Sequence, residues 1–327
     1  MTLEEIAAAL GRHDTPSVPN WALGTVRRRS ITFATGIEDV ETRVHWVQAH
    51  AMTGDLRIHP ARPEMSAADR FEDMDLETLC LLASVEGGVA RTSLGLGGLM
   101  MWSDWIGFQA YDKYPEPGLL RRIGDCMIEF APSGAYIEDW RFLESGVGPL
   151  AGLRLVSETG TDGVTQARQG GLVIAGDHVI QSIARRRPLP EGTRAQDYVR
   201  RSSNPAKALA DVFDCTVDYA QRVAGLYSIK SSTDPRRQGT TLAMTAGFAP
   251  AAEGHLIQHL DGEEIRDRLW RIDSLTASVE FPLTTELTPD ARSWLEREAD
   301  TLVHPLTRDR QTSRRSPSKH SSQGTGA

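Results

Sequence analysis

Apolar residues change period early in this chain. Leu3, Ile6, Ala7 and Leu10 recur at helical spacing, Thr2 with Glu5 reads as a capping box, and Gly11 stops the helix. Pro16 and Pro19 make a linker. From about Gly24 the period becomes two. Ile31 and Phe33 share one face of the run Ser30–Thr35. Val44, Trp46 and Gln48 share one face of Thr42–Gln48, with Arg43 and His45 on the other. After a Gly-containing turn near Met52 to Gly54, Leu56 and Ile58 alternate with Asp55, Arg57 and His59. The two runs predict a β-hairpin. With the turn placed there, His45 and His59 face the same way, on a face that also carries Arg43, Asp55 and Arg57.

The same alternation predicts strands at Val89–Leu96, Met100–Ala110, Asp125–Ala131 and Tyr136–Leu143. Further strands are expected at Leu153–Ser157, Gly171–Ala175, Val179–Ala184, Gly225–Ser231, Gly239–Ala246 and Arg268–Leu275. Two helical pieces, Ala195–Arg201 and Ala206–Val212, interrupt the series. Thr288-Pro289 caps a last helix. Many short strands with few helices predict a mainly β protein: two consecutive antiparallel barrels, short N- and C-terminal helices and a disordered tail. The expected organisation is a helix and linker over 1–20, a first barrel over 21–148 and a second over 149–285. The second barrel carries a helical insertion at about 194–212. A helix over 286–306 and a tail over 307–327 follow.

Composition narrows the partners. The 327 residues are 40% hydrophobic and 24% charged, which is enough apolar material for a sizeable core. A net charge of -8 provides no basic field over the whole chain, so nucleic acid is not the expected partner. Lysine occurs only at Lys113, Lys207, Lys230 and Lys319, so positive charge is carried almost entirely by Arg. That is either codon bias or the use of guanidinium forks for phosphate or carboxylate. Cys80, Cys126 and Cys215 are odd in number and lack metal-ligand spacing. Residues 1–12 have no apolar core segment, and no run approaches 18 apolar residues. A cytoplasmic protein with free thiols, no secretory leader and no membrane span is expected.

Three stretches resemble a calycin-like family with tandem lipocalin-like β-barrels, known from fungi and bacteria. They are Val40–Gln48 with Asp55–Ile58, Glu86-Gly87-Gly88 leading to Trp102, and Gly134–Arg141 followed by Gly170–Gly176. The resemblance implies the fold and carries no catalytic residues with it. One departure is Gly88, where similar proteins are expected to have an aromatic residue.

The run Tyr136-Ile137-Glu138-Asp139-Trp140-Arg141-Phe142 is the most informative. Tyr136, Glu138, Trp140 and Phe142 share a face that should point inward. A carboxyl at Glu138 would sit among rings, which raises its pKa and suits an acid or base. Otherwise Glu138 pairs with an interior Arg and only closes the barrel. Trp46, Gln48, Trp102, Tyr136 and Trp140 then line one apolar pocket with a few polar anchors, and Arg57 is the candidate for a substrate carboxylate. Arg43 and Arg57 oppose a metal at His45, His59 and Asp55, so no metal and no cofactor are assigned.

Three functions remain open. One is binding of a small, largely apolar molecule in the aromatic-lined N-terminal barrel. A second is a cofactor-independent lyase, hydratase, isomerase or cyclase using Glu138 as acid or base. The third is a protein-interaction module with packed barrels. Tryptophan is concentrated in the first half, at Trp21, Trp46, Trp102, Trp105 and Trp140, which favours the first barrel as the site.

Overall fold

The computed structural model describes residues 1–327 other than 12, 15–16, 67, 96–97, 111–115, 243–246, 253, 262–263, 288–290 and 300–327. It begins with α1 (Leu3–Leu10) and β1 (His13–Asp14). The capping box forms as expected: the Glu5 N–H donates to Thr2 Oγ1 at 3.1 Å, and the Thr2 N–H donates to Glu5 Oε2 at 2.9 Å. Gly11 ends the helix at φ 74°, a value that suits glycine.

The first sheet comprises β2 (Gly24–Phe33), β3 (Glu38–Asp39), β4 (Arg43–Gln48), β5 (Met52–Ile58), β6 (Glu86–Leu94), β7 (Leu99–Gly107), β8 (Gly118–Ile123), β9 (Cys126–Phe130) and β10 (Tyr136–Phe142). From β4 onward each strand pairs with the next, and β10 returns to β2 from Tyr136↔Phe33 to Phe142↔Val26. Without the short β3, which adds to β2, this is a closed antiparallel barrel of eight strands. Closure leaves no free edge along these strands. One such barrel is consistent with the calycin-like fold, whereas the second barrel expected over 149–285 is instead a sheet whose end strands do not pair with each other among the described residues.

The second sheet contains β11 (Gly148–Gly160), β12 (Thr165–Ala175) and β13 (His178–Ile183). After α2 (Leu76–Leu82), which lies earlier in the chain, helices α3 (Ala195–Arg201) and α4 (Pro205–Val212) separate β13 from β14 (Thr216–Val223). Then come β15 (Leu226–Ser232), β16 (Phe248–Pro250), β17 (His255–His259) and β18 (Ile265–Val279). Their order is β15-β14-β13-β12-β11-β18-β17-β16, with β1 also on β18. Tyr227 and Ile229 from one end of this path, Phe248 from the other and Trp270 between them share one core with Leu3 and Ile6 of α1. The sheet therefore curves around its own apolar face, and α1 covers that face.

Its opposite face packs on the barrel. Val173, Ala175, Ile180, Val217 and Tyr219 share a core with Val47, Met52 and Leu56. The approach is close enough to need glycine: a Cβ at Gly54 would lie 2.6 Å from Cβ of Ile180, and one at Gly171 would lie 2.7 Å from Val89. Gly54→Val is expected to cost about 1–3 kcal/mol through overpacking, read as a lower urea midpoint at unchanged m-value.

A buried polar relay crosses the same contact. His45 stacks on Tyr219 with ring centroids 3.9 Å apart. The Nε2–H of His178 donates to Glu144 O at 2.9 Å, which leaves Nδ1 to accept from the Tyr219 hydroxyl at 2.9 Å. Burial, and after it the positive charges of Arg27 and Arg43, lowers the His45 pKa to about 3. Its ring resonances are expected to stay put in an NMR titration from pH 8 to about 4.5, where an ordinary histidine titrates.

The helical insertion was legible in sequence, as was a helical segment within 286–306: residues 291–299 are helical. The proposed tail over 307–327 lies outside the described residues. The strand expected at Gly239–Ala246 is corrected. Gly239 is in a turn, Thr241 makes only an isolated bridge with Ser228, and 243–246 lie outside the described residues. Strands β8, β14 and β17 were missed, as were the short β1, β3 and β16. In β14, Val217 and Tyr219 share a core with the barrel while Asp218 and Ala220 face the concave side, so both faces are covered although one carries polar residues. Among the described residues no helix is long and apolar enough to cross a membrane.

Candidate functional site

The register of β4 on β5 decides which side chains enter the barrel. Val44 pairs with Arg57, Trp46 with Asp55 and Gln48 with Thr53. Directly paired residues share a face, so Asp55 and Arg57 lie with Trp46 and Gln48 on the inward side. This corrects the expected outward placement of Asp55 and Arg57 beside His45. The turn occupies Ala49–Ala51 and is closed by the Ala49 N–H donating to Met52 O at 2.9 Å. A start of β5 one residue earlier or later reverses every side chain on it.

The inward aromatics meet as expected. Trp46 is 5.4 Å from Trp140 and 5.8 Å from Trp102, edge to face in both cases. Trp102 sits opposite Thr92. Gln48 is buried and satisfied. Its Oε1 accepts from Trp46 Nε1 at 3.1 Å, and its Nε2 donates to Ala49 O at 2.7 Å and Met52 O at 3.1 Å. Gln48 thus fastens the hairpin turn and the tryptophan, and it offers a ligand nothing without breaking those bonds.

Gly88 also has a structural explanation. It pairs with Gly107 on the inward face, and a Cβ there would lie 2.8 Å from the ring of Trp105. The indole supplied by β7 fills the space left by this glycine pair, where an aromatic on β6 was expected. Trp105 remains 37% exposed.

Glu138 lies inside, as its parity predicts, and meets charge as well as rings. Arg28 Nη1 donates to Glu138 Oε1 at 2.8 Å, and Arg28 Nη2 donates to Asp39 Oδ2 at 2.8 Å. Burial pushes Asp39 up, but the Thr42 and Glu41 N–H groups and Arg28 outweigh it and hold the carboxyl below its ordinary value. The interior arginine considered for Glu138 is therefore Arg28, two strand positions across the β2–β10 seam.

Directly opposite Glu138 stands Glu129 on β9. Its carboxyl accepts from Trp140 Nε1 at 3.1 Å and from the Tyr136 hydroxyl at 3.3 Å. Burial and the neighbouring Glu138 charge raise Glu129 well above the ordinary carboxyl range, against the pull of Arg57 and Trp140. The low dielectric and the carboxyl opposite it therefore favour the protonated form of Glu129. Gly118 makes room for it, since a Cβ there would lie 2.8 Å from Glu129 Oε1.

Arg57 completes the group. Its Nε and Nη2 donate to Asp55 at 3.0 and 3.1 Å. Burial works against its charge, but Asp55, Glu138 and Glu86 outweigh that and keep it ionised. It is enclosed by the barrel, yet 28% of its side chain is accessible. Its Nη1 has no hydrogen-bond partner among the described residues.

The barrel thus brings together Trp46, Arg57, Trp102, Tyr136, Glu138 and Trp140, all named from sequence. Arg28, Trp105 and Glu129 were missed as members. The signal for Glu129 was present: in Cys126-Met127-Ile128-Glu129-Phe130 it shares parity with Met127, a carboxyl on the apolar side of a short strand. Chemically the group offers a held proton, a fixed guanidinium and aromatic walls. Compared with protein-family models, with curated proteins and with solved structures, the chain has no match.

Proposed function

We propose that the closed barrel binds a small, largely apolar molecule carrying one hydrogen-bond acceptor, such as a carbonyl. The accessible Arg57 within a wall of tryptophans carries this reading. Apolar enclosure supplies affinity, while the few polar groups select and orient the ligand. Nη1 of Arg57, which has no partner among the described residues, and a protonated Glu129 are both donors suited to an acceptor oxygen. The calycin-like resemblance fits the same use of a barrel interior.

One observation favours a second reading. A carboxylic acid kept protonated beside a carboxylate is the arrangement of an acid–base pair, so a cofactor-independent lyase, hydratase, isomerase or cyclase is the alternative. Here Glu129 gives the proton and Glu138 receives one. This replaces the expectation that Glu138 acts alone.

Native mass spectrometry of the purified full chain, followed by solvent extraction, tests both. The expected result is a reproducible small molecule that is lost in Arg57→Met and in Glu129→Gln. A molecule retained unchanged by both variants places binding outside the barrel and ends this proposal. Chemical conversion of the extracted molecule by wild type, absent in Glu129→Gln, selects the enzyme over the carrier.

A further inference from the structure

The concave side of the second sheet contains ionised groups that the barrel site does not use. Leu172 belongs to that concave core and pairs with Gln181, which pairs in turn with Asp218. All three side chains therefore face the same interior. Asp218 has no accessible surface. The 3₁₀ turn Pro235–Arg237 folds over it, and Arg237 grips it with Nε and Nη2 at 3.0 and 2.7 Å. Further along, Arg268 Nε donates to Glu158 Oε1 at 2.9 Å, and Arg168 approaches Glu158 Oε2 at 3.5 Å. One buried carboxylate thus serves two guanidinium groups.

That sharing leaves donors over. Among the described residues, Arg268 uses only Nε, so both its Nη groups are free, as is Nη1 of Arg237. Side chains of Arg237 and Arg268 keep 38% and 18% of their surface accessible, while their carboxylate partners are buried. Burial and the nearby charges of Arg168 and Arg237 hold Arg268 below the ordinary arginine value despite Glu158. The three cations therefore feel one another, and an added negative charge relieves the repulsion.

A second, independent observation points to a ligand. Gln181 is 6% exposed, yet its amide makes no hydrogen bond among the described residues. The amide N and O are not among the fully buried unpartnered atoms, so the small exposed part of this otherwise buried side chain includes its polar end, which is open to a ligand. Gln258, by contrast, accepts from Trp270 Nε1 at 3.0 Å on the same concave surface.

We propose that the concave face of the second sheet is a binding site for a small oxyanion, a carboxylate or phosphate group, held by the free guanidinium edges of Arg237 and Arg268 with the Gln181 amide as a further donor. Guanidinium forks match such anions in shape as well as charge. The site is separate from the barrel pocket and does not depend on what that pocket binds.

Isothermal titration of the full chain with inorganic phosphate and with succinate, at fixed ionic strength in chloride buffer, tests this. One-to-one binding is expected for at least one anion, weakened about tenfold or more in Arg268→Gln and in Gln181→Leu and unchanged in Glu129→Gln. Gln181→Leu removes no hydrogen bond, so its urea midpoint should equal or exceed that of wild type, and loss of binding in it cannot be laid to unfolding. Binding of phosphate alone indicates a phosphoryl ligand, and of succinate alone a carboxylate. Absence of heat with both anions at millimolar concentration overturns the proposal, as does binding that survives both variants unchanged.

Discussion

Replacing Glu129 by Gln is expected to remove a loss of stability that the wild-type protein shows as pH rises. The folded carboxyl is raised by burial and by Glu138, whereas in the unfolded chain it ionises near the ordinary value of about 4.3. Above that value the unfolded state has released its proton and the folded state retains it. Stability from this group is therefore complete below about pH 4.3 and is lost as pH rises toward the folded pKa, by at most about 1.4 kcal/mol per pH unit.

His45 acts in the opposite direction. Its folded pKa is lowered to about 3, so its contribution is lost as pH falls from the unfolded value near 6.5. Between these limits the two slopes oppose each other, and the wild-type curve alone conceals both. The difference between wild type and Glu129→Gln isolates the carboxyl. Gln keeps the shape, can accept from Trp140 and Tyr136, and can donate to Glu138. Urea unfolding of both proteins at pH 4.5, 6 and 7.5 measures this difference. A difference that does not change over that range would falsify the assignment of the buried proton to Glu129.

Trp140→Ala is expected to cost about 3–5 kcal/mol, the range for deleting a large buried aromatic. Trp140 is 1% exposed, stacks edge-on with Trp46 and donates to Glu129. The truncation opens a void in the barrel and also leaves the Glu129 carboxyl with one donor fewer. Trp140→Phe separates the two effects. It keeps most of the packing and loses the N–H, for which about 1–3 kcal/mol is expected. Because the Trp140 hydrogen bond holds Glu129 down, its loss should also carry the pH-dependent fall in stability to higher pH. Urea midpoints at pH 5 and pH 8 report both. A cost below about 1 kcal/mol for Trp140→Ala would show that the barrel core does not depend on this ring.

Several elements were readable one segment at a time because local chemistry determines them. The Thr2 and Glu5 capping box needs only residues three apart. The helical pieces expected at Ala195–Arg201 and Ala206–Val212 form as Ala195–Arg201 and Pro205–Val212, the second capped by Asn204 with proline in its first turn. The inward face of Tyr136, Glu138 and Trp140 follows from strand parity alone, and their burial agrees with it.

What the sequence by itself determined was therefore the β class, most strand parities, the helical insertion and the aromatic wall. Tertiary structure alone decided which strands pair and in what register. Turn placement at Ala49–Ala51 moved Arg57 from the expected outer face into the barrel. Closure of β10 on β2 brought Arg28 to Glu138, 110 residues away in the chain. The β9–β10 register set Glu129 against Glu138 and so raised the Glu129 carboxyl above its ordinary range. Curvature of the second sheet gathered Arg237, Arg268 and Gln181 around one concave surface. The physical reason is common to all of these. Alternation tells a side chain which face it occupies, but the charge state and partners of a buried group depend on what the neighbouring strand places opposite it, and that neighbour can be anywhere in the chain.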